Sequence, residues 1–216
     1  AQNKKNFEVI FLSTNKNLKE ISKQCKIFNP KFVIINDKEN FLKFVRSNKK
    51  KIKVFNTFEG ISSLKKKIDY TINAISGFHG LEPTLKIIPH TKTIAIANKE
   101  SLICGWNLIK KATDKYKTNF IPIDSEHFSI WSLLKGTSAE IDKIYITASG
   151  GPFLNISHKK LKNIKPQQAI KHPKWNMGKK ISIDSATLIN KVFELIEAKK
   201  IFNTDLRKLE IILHPE

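Results

Sequence analysis

Short apolar runs alternate with longer amphipathic stretches along the first half of this chain. FEVIFLS (7–13) precedes NLKEISKQCKIF (17–28), KFVIIND (31–37) precedes ENFLKFVRSNKK (39–50), and the pattern continues through YTINAIS (70–76), PTLKIIPH (83–90) and KTIAIANK (92–99). The short runs suit strands and the amphipathic stretches suit helices. Such alternation predicts a mainly parallel sheet covered by helices on both faces, because parallel strands need a crossover and a helix is the usual one. In such sheets ligands gather beyond the carboxyl ends of the strands. The polar residues placed there are Ser13 to Asn17, Asn98 to Glu100 and Asp124 to His127. A nucleotide-binding sheet of this type normally opens on a strand and a Gly-rich turn that holds a pyrophosphate. Here the first strand is already FEVIFLS, and LEIILHPE (209–216) reads as a strand running out of chain. The expectation is a fragment or an incomplete gene product.

The texture changes near residue 122, and a second domain is expected to begin near Asp124. IPIDSEHFSIW (121–131) delivers Asp124, Ser125, Glu126 and His127 directly after an apolar lead-in. In an extended segment residues i and i+2 share a side, which would pair the Asp124 and Glu126 carboxylates as a divalent-cation site or an acid/base couple. A Ser-His-Asp triad is disfavoured, since those groups meet across a fold rather than along four consecutive residues. ISIDSATLINKVFELIEAKKIF (181–202) predicts one helix, with Asp184 or Ser185 as N-cap and Lys199 and Lys200 suiting its C-terminal dipole. Along it Leu188, Ile189, Val192, Leu195 and Ile196 share one face, while Asn190, Glu194 and Glu197, flanked by Lys191, share the other. That second face is an ordinary wet side, or Glu194 supplies the third carboxylate that a hard cation wants.

KIYITASGGPF (143–153) runs a strand into Ser149 and two glycines, suited to close approach by a phosphate or to a plain tight turn. HPKWNMG (172–178) places His172, Trp175 and Met177 before Gly178, as a lid over a small ligand or as a surface loop pinned by a partly buried Trp. His79, His90, His158 and His214 are read as structural, and His127 is left to structure as well.

The formal charge of +20 suggests a polyphosphate partner. Of 39 basic residues, however, only Arg46 and Arg207 are arginine, the residue preferred for bidentate reading of phosphates and guanines. Lysine here accompanies eighteen Asn, a blend expected from codon drift toward A and T, and no zinc finger or RNA-binding signature is present. Nucleic acid is therefore not the expected partner, although a basic nucleic-acid-binding module stands as the second reading. Cys25 and Cys104 make neither metal-ligand spacing nor a disulfide framework, which suits a reducing compartment. No apolar run approaches the roughly 20 residues needed to cross a bilayer, and AQNKKNFEVI has no signal-peptide character. A soluble chain with no membrane partner is expected, with 40% hydrophobic residues for a core.

ANKESLICGW, IPIDSEHFSIW, ITASGGPF, HPKWNMGKKISIDSATLINKVFELIEAKKIF and IILHP, in this order and spacing, resemble the 1-deoxy-D-xylulose 5-phosphate reductoisomerase family over nearly the whole length. The resemblance implies an α/β fold, with an incomplete Rossmann-like NADPH-binding domain over 1–123 and an α+β catalytic domain over 124–216. It implies isomerisation of 1-deoxy-D-xylulose 5-phosphate and NADPH-dependent reduction to 2-C-methyl-D-erythritol 4-phosphate, in the non-mevalonate isoprenoid route. Mg2+ or Mn2+ would be held by Asp124, Glu126 and Glu194. Lys99, Glu126 and Lys191 would carry the chemistry, with Ser125, Asn190 and Glu194 around the substrate backbone. Ser149, His172, Ser185, Asn190 and Lys191 would hold its phosphate, and Trp175 and Met177 would form the lid. For NADPH, Asn15, Lys16 and Asn17 match the adenosine-phosphate loop, and Asn98, Glu100 and Gly178 the nicotinamide side. A homodimer in a bacterial cytoplasm, rather than a plastid, is the setting so implied. The departures are a missing GSTGSIG-like turn, a missing C-terminal helical domain, and Val192-Phe193 in place of a more usual Gly-Leu. They imply that the fragment alone binds NADPH poorly and is weak or inactive, or that it is a non-catalytic relative.

Overall fold

The computed structural model of the chain describes residues 6–48, 52–138, 140–170 and 178–214. In order, it contains β1 (Phe11–Thr14), α1 (Leu18–Phe28), β2 (Phe32–Ile35), α2 (Lys38–Ser47), β3 (Lys53–Phe55), β4 (Ile68–Asn73), α3 (Leu81–Ile87), β5 (Thr91–Ile96) and α4 (Lys99–Tyr116). There follow β6 (Asn119–Pro122), α5 (Ser125–Leu134), β7 (Ile144–Ala148), the short α6 (His158–Leu161) and α7 (Pro166–Ala169), α8 (Lys179–Ala186), α9 (Ile189–Phe202) and β8 (Leu209–Leu213). The chain forms two compact units: Ala1–Thr71 with Glu82–Thr93 and Ala112–Asn119, and Ile72–Leu81 with Ile94–Lys111 and Phe120–Glu216.

The first unit is built on the parallel sheet β1-β2-β3, in which Phe11 pairs with Phe32 and Phe32 with Lys53. The middle strand FVII is an unbroken apolar run because both of its faces are covered, and Val33, Ile34 and Ile35 are almost wholly buried. On one face Val33 and Ile35 pack with Ile21 and Cys25 of α1 and Phe44 of α2. Both helices start on capping side chains: Asn17 Oδ1 accepts from the Glu20 amide and Asp37 Oδ1 from that of Asn40. Asn15, Lys16 and Asn17 thus lie at the carboxyl end of β1, between Thr14 and the start of α1, as the alternation predicts. A disulfide does not join Cys25 and Cys104.

In the second unit two helices begin immediately beyond strand ends, α4 at Lys99 after β5 and α5 at Ser125 after β6. Asp124 and Glu126 are therefore not neighbours on an extended segment. Asp124 is the N-cap of α5, accepting from the Ser125 amide, and Glu126 lies in the first helical turn. Strands β7 and β8 pair in parallel from Ile144–Leu209 to Ala148–Leu213. One face of this pair packs Ile144, Ile146 and Leu209 against Ile130 of α5 and Ala198 of α9.

The single helix expected over 181–202 is two helices. Thr187 ends α8, its hydroxyl turned back onto the Ile183 and Asp184 carbonyls, and Leu188 then adopts a left-handed backbone with φ 58° before α9 begins. Neither Asp184 nor Ser185 is an N-cap; Gly178 precedes α8 and Leu188 precedes α9. The two faces of α9 are also not divided as an ordinary wet side would be: Leu195 packs toward the core, but so do the acidic residues. Glu194 and Glu197 are 1% and 0% exposed, whereas Leu188 and Val192 are 41% and 43% exposed. The carboxylates turn inward because cationic and imidazole partners await them, a tertiary effect that periodicity cannot register. A left-handed Leu costs about 1–2 kcal/mol that Gly avoids. Leu188→Gly is therefore expected to leave stability in urea unchanged or raise it by up to about 1 kcal/mol, where Gly inside a continuous helix would lower it by about 1 kcal/mol.

Candidate functional site

Three carboxylates converge in the second unit: Asp124 at the start of α5, Glu126 in its first turn, and Glu194 on the inner face of α9. One oxygen from each lies within 4.8 Å of the others. Two ammonium groups sit among them. Lys99 Nζ, nearly buried, is 2.9 Å from Asp124 Oδ2, 3.3 Å from Glu194 Oε1 and 2.9 Å from Asn190 Oδ1. Lys191 Nζ bridges Glu126 Oε1 at 2.7 Å and Glu194 Oε2 at 2.6 Å. Asn190 Nδ2 donates to Glu194 Oε1 at 2.5 Å, and the Ser125 hydroxyl to Glu126 Oε2 at 2.7 Å. The sequence reading named each of these residues, and the structure brings them to one place.

Burial works against the charged forms of Glu126, Glu194, Lys99 and Lys191, and pairing overcomes it at all but Glu194. Burial would raise the Glu126 carboxyl, but hydrogen bonds from Lys191 and Ser125 outweigh it and hold the group at about 2. Glu194 goes the other way, raised by burial and by the neighbouring Glu126 despite contacts with both lysines. Lys99 and Lys191 are both raised: burial opposes this, but Asp124 and Glu194 outweigh it at Lys99, and Glu126 and Glu194 do so at Lys191. The arrangement is a compensated anionic pocket of hard oxygen donors.

Two cavities adjoin it. An open cleft of about 400 Å3 is lined by Asn98, Lys99, Glu100, Gly178 and Asn190, with Ala74, Ser76 and Gly77 on a further edge. Asn98 is fixed there, its amide nitrogen facing the carbonyls of Ile75 and Gly77 and the Ser101 hydroxyl. Glu100 Oε1 accepts from Lys180 Nζ at 2.8 Å, and Lys180 also pairs with Asp184 Oδ2. A second, small cavity lies against the Ser149-Gly150-Gly151 turn and is lined by Ser149, Ser185, Asn190 and Lys191. Both glycines are left-handed, with φ 80° and 70°, and a Cβ on Gly151 would stand 2.7 Å from the Ser185 carbonyl oxygen. The turn thus requires glycine at Gly151 for conformation and for space.

Asn15, Lys16 and Asn17 belong to the first unit, at the β1–α1 junction. His172, Trp175 and Met177 lie outside the described residues. Three site neighbours escaped the sequence reading of function. His127 and Glu197 are wholly buried beside the carboxylates, and Lys180 reaches Glu100. Glu197 did carry a signal, one turn beyond Glu194 on the same face.

The C-terminal domain model of 1-deoxy-D-xylulose 5-phosphate reductoisomerase matches residues 120–202, and the family's other model matches residues 1–105. The enzyme of that name from Pelagibacter ubique is 59% identical, over 98% of this chain and 56% of its own length. The chain belongs to the 1-deoxy-D-xylulose 5-phosphate reductoisomerase family. The Clostridium tetani reductoisomerase is 44% identical over 100% of the chain and 58% of its own length. The chain thus spans a little over half of the relatives it matches. Among solved structures, the Zymomonas mobilis reductoisomerase in complex with NADPH superposes with a TM-score of 0.88 at 35% identity, covering 99% of this chain and 56% of that one. A reductoisomerase in complex with NADPH, fosmidomycin and magnesium gives 0.85 at 30% identity, with the same coverage. The mixed α/β fold with parallel sheets agrees with these structures.

Glu126 supplies an acid-dependent readout of the cluster. Its folded carboxyl sits below the ordinary 4.5, so the stability it contributes is present above that value and is lost as pH falls toward about 2. The stability difference between wild type and Glu126→Gln, from chemical unfolding, should shrink over that window by on the order of 2 kcal/mol.

Proposed function

We propose that the protein carrying this chain catalyses the NADPH-dependent isomerisation and reduction of 1-deoxy-D-xylulose 5-phosphate to 2-C-methyl-D-erythritol 4-phosphate. The observation that carries the reading is the convergence of Asp124, Glu126 and Glu194, from two helices, beside the cleft lined by Asn98, Glu100 and Gly178. Three hard oxygen donors within 4.8 Å fit Mg2+ or Mn2+. When bound, such a cation would polarise the carbonyl and hydroxyl oxygens of the substrate.

The roles of the chain's own groups follow from their chemistry. Lys99, with Asn190 and Ser125, presents donors to the oxygens of the substrate backbone, and Lys191 holds Glu126 ionised. The Ser149–Gly151 turn, Ser185, Asn190 and Lys191 offer mostly neutral donors and one cation, suited to a phosphate monoester. Asn98, Glu100 and Gly178 take the nicotinamide side of NADPH, and Asn15, Lys16 and Asn17 the adenosine phosphate. His172 is assigned to the phosphate, and Trp175 and Met177 to a lid that excludes water during hydride transfer. Cofactor binding is thereby assigned mainly to 1–123, and metal and substrate binding to 124–216. A homodimer in the bacterial cytoplasm completes the reading; the similar relatives named are bacterial, and among the described residues no helix is long and apolar enough to cross a membrane.

The test is NADPH oxidation by the full-length gene product with Mg2+ and 1-deoxy-D-xylulose 5-phosphate. Substrate-dependent turnover is expected, and Glu194→Gln should lower kcat/KM by more than the roughly 100-fold typical of outer-shell partners. Folded protein without substrate-dependent turnover would defeat the reading.

A further inference from the structure

The segment between β4 and α3 forms one edge of the cleft through Ala74, Ser76 and Gly77, yet its own regular structure is a single short turn, Phe78–Gly80. Two buried asparagines hold it in place. Asn73, the last residue of β4, donates from Nδ2 to the Gly80 carbonyl at 3.0 Å, and its Oδ1 accepts from the Ile75 amide, also at 3.0 Å. Asn98, two residues beyond β5, grips the same segment from the other side. Its Nδ2 lies 2.8 Å from the Ile75 carbonyl, 3.0 Å from that of Gly77 and 2.7 Å from the wholly buried Ser101 hydroxyl oxygen. Carbonyls only accept, so it is the amide nitrogen of Asn98, not its oxygen, that faces the segment. Gly77, where this tether attaches, has φ 72° and ψ −169°, a backbone that essentially only glycine adopts.

The tether needs clear space beside it, and Gly80 leaves that space. A Cβ on Gly80 would stand 1.9 Å from Asn98 Nδ2 and 3.0 Å from Asn98 Cγ. Asn98 is 5% exposed and its nitrogen is committed to three acceptors, so it could yield only by leaving the Ile75 and Gly77 carbonyls. Conformation makes no such demand, because Gly80 is not among the glycines with positive φ. At Gly80 glycine is required for room alone, where Gly151 requires it for both reasons.

We propose that Gly80 is a positioning residue of the cofactor cleft: by leaving room for the Asn98 amide, it lets Asn98 hold the Ala74–Gly77 edge in the shape that NADPH meets. The inference rests on the reading of this cleft as the nicotinamide side of the NADPH site. An edge ordered beforehand does not have to be ordered on binding, so cofactor affinity depends on the tether. Asn98 thereby has a task besides any contact of its own with the cofactor.

The experiment is NADPH binding by the full-length protein, measured by calorimetry for wild type, Gly80→Ala, Asn98→Ala and the double variant, with folding checked by circular dichroism. In Gly80→Ala the Kd should rise about 10-fold or more, because the new methyl displaces Asn98. In the double variant the methyl no longer meets an amide, and the Kd should match that of Asn98→Ala within about twofold. Wild-type affinity in Gly80→Ala would overturn the proposal. Losses that multiply in the double variant would overturn it too, since the methyl would then act somewhere other than on Asn98. Should Gly80→Ala not fold, the double variant decides: folding with the affinity of Asn98→Ala supports the proposal, and failure to fold refutes it. An Asn98→Ala variant that does not fold also refutes it, because the asparagine would then hold the whole unit rather than one edge of the cleft. Absence of NADPH binding by wild type would instead remove the cofactor reading, and with it the role assigned to Gly80.

Discussion

Burying Glu194 is the constraint on which the second unit turns. An unpaired carboxylate in a dry interior is too costly to keep, so its neighbours must be donors, and Lys99, Asn190 and Lys191 all point at it. Lys99 comes from the start of α4 and the other two from α9 itself, so that one side chain orders residues more than ninety positions apart in sequence. Such a cluster is weak evidence of stability, since apolar replacements of equal volume are often as stable. Removing one partner is another matter, because it strands a buried charge at a cost of about 3–5 kcal/mol. The geometry is therefore specified sharply without being strongly stabilising.

The strand ends supply the other half. Helices α4 and α5 both start where strands stop, and their first residues, Lys99 and Asp124 with Glu126, are the ones delivered to Glu194. An N-cap residue has its side chain at the mouth of the helix, held by a backbone amide. Asp124 therefore has one oxygen occupied by the Ser125 amide and the other turned toward Lys99.

Much of this was legible in the chain. The alternation of apolar and amphipathic stretches carried the parallel sheet, since FVII is apolar throughout only because both faces are covered. The convergence of Asp124, Glu126 and Glu194 was legible as a set of carboxylates, because acidic groups after a strand and on a helix face are chemically conspicuous. The sidedness of α9 was not. Period 3.6 separates polar from apolar residues, but it does not say which group faces in, and Val192 faces out while Glu197 faces in. His127 and Glu197 stayed hidden for the same reason. Their partners lie on different helices, and only the fold brings them within 3.5 Å.

The break at Leu188 has a reason in the site. Ser185 and Asn190 are five residues apart, and at 3.6 residues per turn a continuous helix would set them about 140° apart, on different sides. With α8 and α9 separated by a left-handed residue, both line the small cavity beside Ser149 and Lys191. Gly151 presses its backbone against the Ser185 carbonyl at that point, leaving no room for a Cβ. Strain of about 1–2 kcal/mol at one Leu persists in a structure only where the surroundings over-determine it. Here the surroundings are a turn that needs left-handed glycines, a serine from one helix and an amide and ammonium from the next, converging on one small cavity.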